Sequence, residues 1–107
     1  MSTSARFSAY GRVSKGDVIA LGHGPHGPEL VVASVQRLVD VIGEAFALCD
    51  RYTLISNHGD YGVWSRQHAE PYACQVTDIV EVLLWTATTD TVTVLYPYSL
   101  RQSDLIL

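Results

Sequence analysis

Residues 28–51, PELVVASVQRLVDVIGEAFALCDR, carry the pattern on which the fold reading turns. Val31, Val35, Leu38, Ile42, Ala45, Cys49 and Tyr52 recur at alternating steps of four and three. Val32, Val39 and Phe46 widen that stripe, and Arg37, Asp40, Glu44 and Arg51 lie opposite it. Steps of three and four place apolar side chains on one face of a 3.6-residue helix, so the spacing predicts an amphipathic helix over about 28–51. Pro28 suits a first helical position and Glu29 the positive end of the helix dipole. At 1.5 Å per residue such a helix would run roughly 35 Å, enough to cross a sheet. Gly43 is the awkward residue in it, at a cost of up to ~1 kcal/mol relative to alanine.

Working outward, turn signals divide the remaining chain into short segments. Residues 5–13 and 17–21 flank Ser14-Lys15-Gly16 and read as a hairpin. Residues 53–57 and 62–67 read as strands joined across His58-Gly59-Asp60-Tyr61. A further strand is expected at 72–76, after a loop over His68-Ala69-Glu70-Pro71, and another at Thr91–Tyr96, ended by Pro97. Residues 78–87 read two ways. Asp78 with Glu81 forms a capping-box variant, and Val76, Val80, Leu83 and Ala87 share a helical face. The β-branched content there also fits a strand hairpinned at Thr89-Asp90. The helix is preferred. The expected fold is therefore α+β: a mainly antiparallel sheet of five to six strands, one long helix at about 28–51 and a second short helix at about 78–87.

With 107 residues and 48% hydrophobic content, the chain is expected to be one domain, residues 1–107, able to bury a core without staples. No apolar run is long enough for a membrane-spanning helix, and Met1–Ser8 lacks the apolar stretch of a secretory leader. Cys49 and Cys74 form no CxxC pair and read as reduced core thiols, so a cytoplasmic location is expected. Residues 1–16 hold Arg6, Arg12 and Lys15 without an acid, whereas all eleven acids lie beyond them, against four arginines. Direct nucleic-acid binding is not expected from that balance, because phosphate neutralisation needs clustered cations. An acidic surface suits a basic protein partner instead.

Gly22-His23-Gly24-Pro25-His26-Gly27 matches GxGxxG between an expected strand and an expected helix, the setting of a phosphate-binding turn. Its neighbours are wrong for that role. Pro25 and Pro28 remove amide donors, Glu29 places a negative charge at the anion position, and no cation lies between Lys15 and Arg37. The ligand-binding reading therefore rests on Gly22, His23, Gly24, His26 and Gly27, with His58 as a further group. Two loop histidines fall short of a zinc site, and no further ligand stands at a recognised spacing, so no metal and no cofactor are expected.

Catalytic signatures are equally thin. No serine, histidine and acid stand at a motif spacing, and a non-enzymatic protein is expected. Recognition is the better-supported expectation. Asp60, Tyr61, Glu70, Asp90, Tyr96 and Tyr98 stand at turns and strand ends, where aromatic and charged groups serve as interface anchors. Trp64 and Trp85 are expected in the core. The Leu105-Ile106-Leu107 terminus suggests a homodimer. The reading that follows is a small acidic protein-binding module. It would be an inhibitor occluding a basic site on a protein, in the manner of an immunity protein or a phage counter-defence (anti-CRISPR) protein.

Overall fold

A computed structural model describes residues 4–6, 11–22 and 30–97. Residues 31–51 form no helix. Val31–Val41 is a strand (β4) and Glu44–Asn57 another (β5), antiparallel and joined at Ile42-Gly43. Ile42 and Gly43 have φ of 51° and 81°. Positive φ at both central residues is the pattern of a type I′ hairpin turn, whose twist matches that of its strands. Gly43 is thus the turn residue rather than a flaw in a helix.

The helical spacing has a specific physical origin. A strand alternates its side chains between two faces, and each β-bulge inserts one extra residue. The β4–β5 register shifts between Val35 and Arg37, and the β5–β6 register shifts between Arg51 and Thr53. The steps Val35→Leu38 and Cys49→Tyr52 across those shifts mimic helical threes. Six β-branched residues among positions 31–42 favour the extended chain.

The remaining described elements are short strands β1 (Ser4–Arg6), β2 (Arg12–Ser14) and β3 (Val18–Leu21), then β6 (Tyr61–Gln75), β7 (Ile79–Ala87) and β8 (Thr91–Leu95). Six strands close a barrel in the order β3-β4-β5-β6-β8-β7, every neighbour antiparallel, and β7 returns to pair with β3. The expected antiparallel sheet of five to six strands is present, and no α-helix occurs among the described residues. The second expected helix, 78–87, is instead β7, preceded by a single 3-10 turn at Val76–Asp78. Its hairpin partner is β8, across the Thr89-Asp90 turn. Here valine and threonine content outweighed the capping box, because β7 gains partners on both β3 and β8.

Two smaller expectations also change. The turn at Ser14-Lys15-Gly16 exists, with Asp17 N donating to Ser14 O at 3.1 Å and Ser14 N to Asp17 Oδ2 at 2.8 Å. It is a corner and not a hairpin: β2 pairs with β1, while β3 pairs with β4 and β7. Residues 72–76 are no separate strand, since β6 runs through to Gln75. The loop expected at 68–71 is likewise part of β6, with Glu70 and Pro71 in register with Arg51 and Asp50; His68, at φ 58°, is its irregular residue.

Every residue of β3 is buried, as are Val31, Val32 and Ala33 of β4. Alternation sends them into two apolar clusters. Val18, Ala20 and Val32 join Tyr52, Trp64, Leu83, Val92 and Val94, so all six strands fill this interior. Ile19, Leu21, Val31 and Ala33 face the other way, onto Leu38, Ala47, Cys49 and Cys74 under Val13 of β2 and Val76 of the 3-10 turn. β3 and the start of β4 are a wall between two cores. Strands buried on both faces read as continuous apolar runs, which is how Val18–Leu21 and Val31–Ala33 are written.

The Ile42 turn makes a first expected result. A β-branched residue at positive φ is strained, and type I′ turns favour Asn-Gly. Ile42→Asn should raise stability by about 1 kcal/mol, the lower end of such strain, measured as a shift in urea midpoint.

Candidate protein-interaction surface

Trp64, Val92, Val94 and Leu83 point into the barrel, so their chain neighbours point out. Register then aligns three outward residues from three adjacent strands. Tyr61 of β6 lies opposite Leu95 of β8, and Leu95 lies opposite Leu84 of β7. They are 38%, 52% and 73% exposed, an aromatic and two leucines in a row across the sheet. Val63, Thr93 and Thr86 form the next row, and no charge interrupts either. Isolated surface leucines are ordinary, whereas a contiguous apolar row is a mark of an interaction site.

The rim of this row is fixed from below and from the side. The His58 ring stacks on Tyr61 with centroids 4.6 Å apart and planes 17° from parallel. His58 Nε2 is also 2.9 Å from Ser56 Oγ. The turn itself is closed by His58 N donating to Tyr61 O at 2.8 Å, with Gly59 at φ 82°. Beneath it, Trp64 Nε1 donates to the Tyr96 hydroxyl at 3.1 Å inside the core. Tyr96 N donates to Asp60 O at 2.9 Å, tying the turn to the end of β8. Such bracing lowers the ordering cost that binding would otherwise incur.

Charge along this part of the chain has one dominant sign. Residues 67–97 hold Glu70, Asp78, Glu81 and Asp90 and no lysine or arginine, and Asp60 adds a further acid beside Tyr61. Arg66, at the far end of the β6–β8 pairing, is engaged by donating to Thr88 O at 2.9 Å.

The expected recognition residues separate on this frame. Asp60 and Tyr61 share the exposed turn, and His58, named for ligand binding, joins them. Tyr96 is a core residue bonded to Trp64, not a surface anchor. Glu70 lies opposite Arg51 on the β5–β6 pairing. Asp90 sits at the other end of β8, accepting from Gln67 Nε2 at 3.1 Å. The acids therefore form no single cluster. Tyr98, His23, Gly24, His26 and Gly27 lie outside the described residues. Gly22 follows β3, close to Val80, and the described chain resumes at Leu30 and enters β4, so among the described residues no helix follows the turn as a phosphate site would need. Among the described residues no group of three or more His, Cys, Asp or Glu is placed to hold a metal ion.

Leu84, Leu95 and Trp85 escaped sequence reading. Taking 78–87 as a helix scattered Leu84 and Trp85 away from β8, and only the β7–β8 register brings Leu84 to Leu95. Trp64 is in the core as expected; Trp85 is half-exposed, because pairing with β3 stops two residues earlier, at Leu83. Cys49 and Cys74 are both free and buried. The Cys49 thiol is pushed far up by its hydrogen bond to Cys74 and by burial, which keeps it protonated and inert.

No protein-family model, no curated protein and no solved structure matches the chain.

Burial raises the Tyr96 pKa, opposed by the Trp64 hydrogen bond. A raised value means the fold favours the neutral phenol. That contribution is complete below the ordinary tyrosine value of about 10 and is lost as pH rises through the folded value. Urea midpoints should fall above about pH 10, and Tyr96→Phe should remove this residue's share of the fall.

Proposed function

We propose that the chain is a non-enzymatic protein-binding module whose Tyr61–Leu95–Leu84 face occludes a basic site on a protein target. The observation carrying this reading is the exposed apolar row itself, drawn largely from a stretch, residues 67–97, that holds four acids and no lysine or arginine. Apolar anchors supply affinity and the acidic surround steers a basic partner to them. An inhibitor of the immunity or counter-defence kind works in this way, by cover rather than by chemistry. Buried free thiols support a reducing, cytoplasmic setting. No helix among the described residues is long and apolar enough to cross a membrane. Self-association is proposed as well, on a separate face.

The test is quantitative capture of the target from the native host. Leu84→Lys and Leu95→Lys, both at exposed positions, should each weaken capture by about 100-fold or more, roughly 2.7 kcal/mol. Asp60→Lys should act more weakly and chiefly at low salt. Capture of the same protein with unchanged affinity by both lysine variants would refute the site.

A further inference from the structure

A second apolar face lies on the far halves of β4, β5 and β6. Register sets Arg37, Leu48 and Ala73 in one row, Val39, Phe46 and Gln75 in the next, and Val41 opposite Glu44 at the hairpin end. The reverse face of these same strands carries Leu38, Ala47, Cys49 and Cys74, which are packed in the second core. Strands apolar on both faces are normally covered on both. Here one side is covered, while Leu48, Val41 and Ala73 stand exposed on the other.

The hairpin tip gives an independent indication. Ile42 is 99% exposed and holds φ 51°. Its side chain is both strained and hydrated, and neither cost is recovered within one chain. An apolar residue kept at such a tip is accounted for if the tip is buried in an assembly.

We infer that this face packs against the same face of a second copy, about a two-fold axis. Charge points to that occupant. The three rows carry a cation, Arg37, at one end and an anion, Glu44, at the other, with Asp50 in the row beyond Leu48. A two-fold operation can bring Arg37 of each copy to Glu44 of the other, making two identical ion pairs from one self-complementary patch. Arg37 has no hydrogen-bond or ion-pair partner among the described residues. Sheet-on-sheet stacking of this kind places the inner faces about 10 Å apart, with Phe46 central and the Val41-Ile42 tips reaching across the partner.

Sedimentation equilibrium of the full chain up to about 100 μM, a range that detects micromolar and tighter dimers, tests the inference. The expected mass is twice 11.7 kDa. Val41→Lys/Leu48→Lys should give a folded monomer whose thermal midpoint no longer rises with protein concentration. Arg37→Glu should weaken the dimer about 10-fold or more, and Arg37→Glu/Glu44→Arg should restore it. Leu84→Lys, on the other face, should leave the dimer intact even where it abolishes target capture, so the two proposals fail separately. A monomeric wild type, a dimer surviving Val41→Lys/Leu48→Lys, a charge swap that fails to restore, or a dimer lost in Leu84→Lys would each overturn it.

Discussion

Gly62→Ala is expected to destabilise the protein by about 3–5 kcal/mol, enough to unfold much of the population of a domain this size. Gly62 sits in β6, where its missing side chain leaves room for the Tyr96 phenol. A Cβ there would overlap the Tyr96 hydroxyl, lie 2.7 Å from Tyr96 Cζ and 2.9 Å from Trp64 Nε1. These are not flexible ends that swing aside, since Tyr96 and Trp64 are both buried among Tyr52, Val92 and Val94. Overpacking costs about 1–3 kcal/mol. Displacing Tyr96 also strands the buried Trp64 N–H, at about 1–3 kcal/mol more. Gly62→Ala/Tyr96→Phe should recover part of the loss, because removing the hydroxyl removes the worst overlap. Urea denaturation of the two variants checks both statements.

The second large effect is expected at Ile19. It lies in the wall between the two cores and is fully buried. Truncating a core isoleucine costs about 2–5 kcal/mol, depending on how far the surroundings collapse into the space. Collapse is difficult here, because the strand behind Ile19 is held by Val18 and Ala20 in the opposite cluster. Ile19→Ala should therefore fall near the upper end, about 4 kcal/mol. Leu84→Ala, on the exposed row, should change stability by no more than about 0.5 kcal/mol. A small loss at Ile19 would mean that β3 is not a shared wall.

How much of this was legible varies by element, for physical reasons. The strands at 62–67 and 91–96 were readable from alternation, 53–57 from its β-branched content despite a register shift between Leu54 and Ser56, and the turn at 58–61 from its local residues. The 28–51 helix was misread because two bulges put three-residue steps into a two-residue period. Gly43 and the run of valines were the contrary signals. At 78–87 the strand alternative was the correct one, and a local cap lost to long-range pairing with β3 and β8. Barrel closure is not written locally anywhere, since it depends on β7 returning to β3. The same limit governed the surface. Asp60 and Tyr61 were visible as turn residues, whereas Leu95 and Leu84 became their neighbours only through the β6–β8 and β7–β8 pairings. Tyr96 looked like an anchor because an aromatic beside proline usually lies at the surface; its phenol instead fills the space Gly62 leaves.

Both proposed faces depend on one structural claim: the chain turns back at Ile42-Gly43, and the sheet closes through β3 and β7. Cross-strand proton contacts in solution test it most directly. Main-chain contacts are expected between Asp40 and Ala45 across the hairpin, between Ile19 and Val82 across the closure, and between Leu84 and Leu95 across the exposed row. Contacts between residues three and four apart running through 28–51, with none between Asp40 and Ala45, would show a helix there and contradict the account.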